Sequence, residues 1–172
     1  RIAQPFTDAL SLYAIGLIAG NLVNVYSDNA GKDGWEKITL ASTIGGMVIN
    51  TAGVTLAHGM EHPASGLRDI VHGKGLAALT PAIIEASYTG NESKFADIAK
   101  LFGGKEAKDL ALKIRELLKS INLNCTLSDL GIEEKDIPWM AENCMKVSAA
   151  SVANNPVVFT QEQIADIYKK AL

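Results

Sequence analysis

An all-α, multi-helix fold is predicted by three observations. Alternating runs of β-branched residues between turns, the mark of strands, are missing apart from a short Val157-Val158-Phe159. Apolar residues recur instead at helical spacing through most of the chain. Residues that start and stop helices flank those stretches, which gives seven or eight helices. A length of 172 residues is enough for one domain with a real core.

Thr7 or Asp8 can cap a first helix that runs through Leu10, Tyr13, Leu17 and Ile18. Asn29, Gly31 and Gly34 then read as a loop. A long helical stretch follows, from about Trp35 to Glu61. It carries no charged residue from Ile38 to Met60, which is length enough to cross a bilayer. Asn50, four threonines, Ser42, His58 and several glycines argue instead for a central buried helix of a bundle, with Asn50 hydrogen-bonded inside it. Pro63 is expected to end or kink that helix at His62.

The next helix starts near His72 and runs through Leu76, Leu79 and Ile83 towards Tyr88. Asn91 can cap a short helix with Phe95, Ile98 and Phe102, stopped at Gly103-Gly104. The clearest periodicity is the stripe of Ala107, Leu110, Ala111, Ile114, Leu117, Leu118 and Ile121, with Lys108, Lys113, Arg115, Glu116 and Lys119 outside it. Gly131 closes a turn, and Pro138 suits the first turn of a helix carrying Trp139, Met140 and Met145. Thr160 and Gln163 match a capping box for a last helix with Ile164, Ile167 and Tyr168 on its apolar face.

Composition narrows the function. Hydrophobic residues at 48% against charged residues at 20% mark a globular chain rather than a disordered one. The net charge of -3 comes from mixed signs without a basic block, so nucleic acid is not an expected partner, and neither is a membrane. Cys125 and Cys144 are far apart and form no CxxC pair, which predicts free thiols in a reducing, cytoplasmic compartment. No charged n-region with an apolar h-region opens the chain, so no signal peptide is expected. The chain begins at Arg1 and not at a methionine, which suggests a piece of a longer protein. Composition shifts near Gly90, from glycine-rich and charge-poor to more conventional. Two helical subdomains are therefore predicted, residues 1–90 with the functional groups and residues 91–172 in support.

All three histidines, His58, His62 and His72, lie in one stretch, AHGMEHPASGLRDIVHGKG. His58 and His62 are four apart, so on a helix both rings project from one face. Pro63 and Gly66 offer a break at which the chain can fold back and bring in His72. Two helix-borne ligands plus a third from beyond a loop is a common arrangement around a single metal. The residues leave a plainer reading open. Histidines near a helix C-terminus are favoured there as cations, a histidine near a helix start can simply donate a hydrogen bond, and HxxxH is frequent by chance.

The wider segment LASTIGGMVINTAGVTLAHGMEHPASGLRDIVHGKGLAALTPAIIE resembles the metal-site region of the iron-dependent (group III) alcohol dehydrogenases. The matching pieces are LAST with its small-residue run, N-x-A-G, A-H-x-M-x-H-P, and D-I-x-H-G with the helix behind it. QPFTDALSLYAIGLIAGNL and ANNPVVFTQEQIADIYKKAL also resemble the helix before that region and the family's C-terminus. The resemblance covers essentially the whole chain. It implies a helical C-terminal domain of the dehydroquinate synthase-like type, the N-terminal nucleotide-binding domain being absent.

The resemblance further implies an enzyme that interconverts alcohols with aldehydes or ketones, using NAD or NADP held mainly by the missing domain. It implies a divalent metal, iron first and zinc second. His58 and His72 correspond to two of the family's metal ligands. His62 corresponds to a histidine beside substrate and nicotinamide, a catalytic candidate for proton relay. A small alcohol or aldehyde is the implied partner, and a homodimer is the family's common state. The family's aspartate and first histidine form a D-x-x-x-H that would lie upstream. Asp8 is not that ligand, because Leu12 stands four residues after it. Val71 replaces a common proline and Arg68 a commoner aromatic, so Arg68 either tunes substrate preference or is simply solvated. The 172 residues alone are expected to be inactive. A non-enzymatic helical metal-binding or interaction module is the competing class, and a glycerol dehydrogenase or maleylacetate reductase type is the alternative within the family.

Overall fold

The structure is a computed structural model that describes residues 2–172. It is all-α, with no strand among the described residues, so Val157-Val158-Phe159 is irregular. Among the described residues nine α-helices appear, one or two more than predicted: α1 (Pro5–Tyr26), α2 (Gly31–Ala52), α3 (Leu56–Arg68), α4 (His72–Ser87), α5 (Glu92–Leu101), α6 (Asp109–Ser120), α7 (Ile137–Val147), α8 (Ala149–Asn154) and α9 (Gln161–Ala171).

The chain forms two compact units, and their limits differ from a division at Gly90. One unit joins Val54–Glu92 to Leu123–Leu172, and the other joins Ile2–Gly53 to Ser93–Asn122. Packing partners decide this. The apolar face of α4 needs α9 to cover it, so the first unit recruits the end of the chain rather than its beginning.

In the first unit α3 packs on α4, α7 and α8, and α9 packs on α4 and α7. Leu56, Met60, Leu79, Leu127, Met140, Ile164 and Tyr168 lose all contact with solvent in one core. Each such side chain contributes about 1.5–3 kcal/mol by leaving water. The capping box predicted for α9 is present. Thr160 Oγ1 accepts from the Gln163 amide at 3.3 Å, and Gln163 Oε1 accepts from the Thr160 amide at 2.9 Å.

In the second unit α1 and α2 pair side by side. The core between them is small: Ala14, Ala41 and Ile44, with Leu10, Leu17, Ile18 and Val48 packed around it. α1 starts earlier than its predicted caps, with Gln4 as cap and Pro5 first. Thr7 serves the same end from inside, accepting from the Gln4 amide at 3.1 Å. Phe6, Tyr13, Tyr26, Trp35, Met47 and Ile49 remain exposed. By length and mean hydropathy (1.5) α1 would also suffice to cross a membrane.

The predicted continuous helix from Trp35 to Glu61 is broken. The break lies at Gly53, Val54 and Thr55. Gly53 takes a positive φ of 63°, a conformation that glycine enters without steric cost. Nor is the first part central and buried. Most of α2 is open to solvent, and Asn50 is exposed, so it needs no internal partner.

Pro63 does not end α3 either, because the helix continues to Arg68. A proline inside a helix costs roughly 3 kcal/mol. Met60 and Ala64, on either side of it, are both fully buried, and their packing outweighs that cost. The Tyr168 hydroxyl donates to the Met60 carbonyl in the turn that the proline loosens.

Candidate metal centre

Core packing on one face of α3 sets the histidines on another. Leu56, Met60 and Ala64 point inward at helical spacing, which leaves His58 and His62, four apart, on a more open face. α3 ends at Asp69, in the left-handed conformation with φ 52°, and its amide donates to the Ser65 carbonyl at 2.8 Å. Three residues later His72 opens α4. The reversal that returns His72 to α3 is therefore at Asp69–Val71, not at Pro63–Gly66.

The three imidazoles meet. Ring centroids are 6.1 Å apart for His58 and His62, 5.2 Å for His58 and His72, and 5.8 Å for His62 and His72. His62 is exposed, His58 is partly covered, and the His72 side chain is half exposed. Burial, reinforced by the neighbouring His72 and His62, holds the His58 pKa below its ordinary value, while Glu61 opposes the shift. The neutral ring is the form that offers a lone pair to a metal.

Glu61 is the member of this cluster that the sequence reading missed. It lies between His58 and His62 in chain order but turns inward and is fully buried. One carboxylate oxygen meets His72 Nδ1, and the other accepts from the Ser65 hydroxyl. One possible donor atom each from Glu61, His62 and His72 lies within 4.8 Å of the others, and His58 stands outside that tighter group. The signal that could have found Glu61 is the glycine at 75, which leaves room for an acid.

The donor set fits a divalent transition metal. Imidazole nitrogens suit iron and zinc, and a carboxylate on the second nitrogen of a histidine is the common support for such a ligand. Arg68 is neither simply solvated nor turned towards the histidines. Its Nη2 pairs with Asp136 at 2.6 Å, and its Nε donates to the Gly131 carbonyl at 2.9 Å. Both cysteines are free thiols, as predicted. Burial pushes the Cys144 thiol up to about 12, which makes it inert.

A helical fold with three histidines converging from one helix and the start of the next defines a candidate metalloprotein. Comparison with known proteins gives the family. The profile of the Fe-containing alcohol dehydrogenase family, C-terminal, matches residues 1–172, and the chain belongs to that family. It is 36% identical to the 1,3-propanediol dehydrogenase of Klebsiella pneumoniae, over 98% of this chain and 45% of that protein. It is 32% identical to the lactaldehyde reductase of Escherichia coli K12, over 99% of this chain and 46% of the relative. The chain thus spans a little under half the length of these curated relatives.

Among solved structures, a 1,3-propanediol oxidoreductase superposes with a TM-score of 0.91 at 35% identity, over 100% of this chain and 47% of that one. An archaeal alcohol dehydrogenase from a Red Sea brine pool gives 0.91 at 30% identity, over 99% of this chain and 45% of the other. The maleylacetate reductase of Agrobacterium tumefaciens, at 20% identity and 0.84 over 98% of this chain and 46% of its own, shares the fold.

Proposed function

We propose that this chain is the metal-holding part of a metal-dependent alcohol dehydrogenase that interconverts small alcohols with aldehydes or ketones, using NAD or NADP. The observation that carries the reading is the meeting of three imidazoles, one of them held from behind by a buried carboxylate, in a chain of this family. The relatives are named for 1,3-propanediol and lactaldehyde, so the substrate class is a small, polar alcohol or aldehyde. Iron is the metal of first choice and zinc the second.

His58 and His72 would hold the metal. A bound divalent metal supplies a Lewis acid for the substrate oxygen. His58 is kept neutral by burial and by its two neighbours, as a ligand must be. His62 is exposed, as His72 is, and lies beside the other two rings open to water, which suits a group that passes the substrate's proton to solvent. The hydride chemistry belongs to the nicotinamide, and these helices contribute orientation and charge. Residues 1–172 alone are expected to be inactive.

The test is NAD(P)H-dependent reduction of a panel of small aldehydes by the complete natural protein loaded with Fe2+ or Zn2+. His62→Ala should slow turnover about 100-fold or more, the usual worth of a placed acid–base group, with metal content unchanged. Absence of any aldehyde or alcohol turnover in metal-loaded protein would overturn the reading.

A further inference from the structure

Glu61 has no exposed surface, and a carboxylate in that position must be paired or hydrogen-bonded. Both of its oxygens are committed. Oε2 meets His72 Nδ1, and Oε1 meets the Ser65 hydroxyl one turn along α3. Ser65 Oγ lies in turn 3.1 Å from the Ile70 carbonyl, in the reversal that leads to His72. Space for the acid exists because position 75 is glycine. A Cβ there would lie 2.7 Å from Glu61 Oε1 and 2.8 Å from its Cγ, closer than real contacts allow. Glu61, Ser65 and Gly75 therefore form one socket whose output is the orientation of His72.

We propose that Glu61 is a positioning residue: it holds His72 by Nδ1 and so leaves Nε2 as the nitrogen presented to a divalent cation. The proposal rests on the reading of His72 as a metal ligand. Whichever ring nitrogen makes the hydrogen bond to a carboxylate carries the proton, so Glu61 selects the tautomer as well as the ring angle. The His72 side chain is half exposed and would otherwise turn freely about its own bonds. Glu61 is not itself a ligand, because its two oxygens are taken and it reaches no solvent. Gly75 serves Glu61 and has no separate task, so changes at 61 and 75 must be non-additive.

The experiment uses the complete natural protein, stripped of metal. Zn2+ affinity is read by competition with a chromophoric chelator, and the His72 tautomer is read by long-range 1H–15N correlation on the metal-free protein. The wild type should show His72 protonated at Nδ1. Glu61→Ala should lose that tautomer and bind Zn2+ about 10- to 100-fold more weakly, the range for lost supporting partners of metal ligands. Glu61→Gln keeps the shape and an acceptor oxygen, so it should fold, retain the tautomer and lose less affinity. Gly75→Ala should weaken binding alone but cost nothing further in the Glu61→Ala background. Wild-type tautomer and affinity in both Glu61 variants, or an Nε2-protonated His72 in the wild type, would overturn the proposal. His72→Ala separates the two levels. If it binds Zn2+ as the wild type does, the metal reading fails; if it loses Zn2+ while Glu61→Ala does not, the role given to Glu61 fails alone.

Discussion

Leu56, Met60 and Leu79, in the unit that carries the histidines, lose all solvent contact, whereas Phe6, Tyr13 and Trp35, in the other unit, keep more than half of theirs. Both units are helical, and α1 and α2 are the longest helices of the chain, at 22 residues each. Length does not measure burial. The histidine-bearing unit uses shorter helices, each buried along one face, and the alternation of buried and open positions on α3 is what aims its histidines. A metal site needs donors fixed to within about 0.5 Å, and close-packed helices provide that. The α1–α2 pair closes over alanines and one isoleucine, leaving its large apolar residues outside.

Truncating the two kinds of apolar residue breaks or sharpens this comparison most strongly. Leu79→Ala should lower unfolding free energy by about 2–5 kcal/mol in chemical denaturation, since it opens a cavity in the larger core. Trp35→Ala removes a larger side chain from the open face of α2, yet it should change stability by no more than about 0.5 kcal/mol. Equal costs would mean that exposure does not distinguish the units energetically. A smaller effect is expected at the start of α9. Thr160→Ala removes the cap that accepts from the Gln163 amide and should cost about 1 kcal/mol, with α9 loosening first in hydrogen exchange.

The smallest effect lies in the other unit. Asp109 accepts from the Lys105 and Glu106 amides, and these bonds hold its pKa below the ordinary 3.8. With the folded value depressed, its contribution is present above the unfolded value and is lost as pH falls through the folded one. Asp109→Asn should therefore lower the denaturation midpoint slightly at pH 7, and the difference from wild type should shrink below about pH 4. A difference that grows on acidification would contradict the assignment.

Helix identity was legible where periodicity or a cap was clear, as in α6 with its single stripe and α9 with Thr160 and Gln163. The histidine cluster was legible because spacing of four on a helix is geometry, and the family resemblance named the same residues. Three features were not legible, each for a physical reason. The uncharged run from Ile38 to Met60 hid the break at Gly53, because a missing charge says nothing about where a helix stops. Pro63 read as a stop because local preference is weighed without the packing of Met60 and Ala64 that overrides it. Glu61 carries no local sign of burial in the sequence. Its partner glycine is fourteen positions away, and only the fold brings position 75 against it.

The most direct test of the central claim, that this histidine cluster is a metal centre, is elemental analysis of the complete natural protein. It should be purified beside its His58→Ala and His72→Ala variants and checked for folding by circular dichroism. The account predicts about one iron or zinc per chain in the wild type, as expected for a single site, and loss of most of it in both variants with the helical signal unchanged. Equal metal content in all three proteins, or none in the wild type after loading, would contradict it.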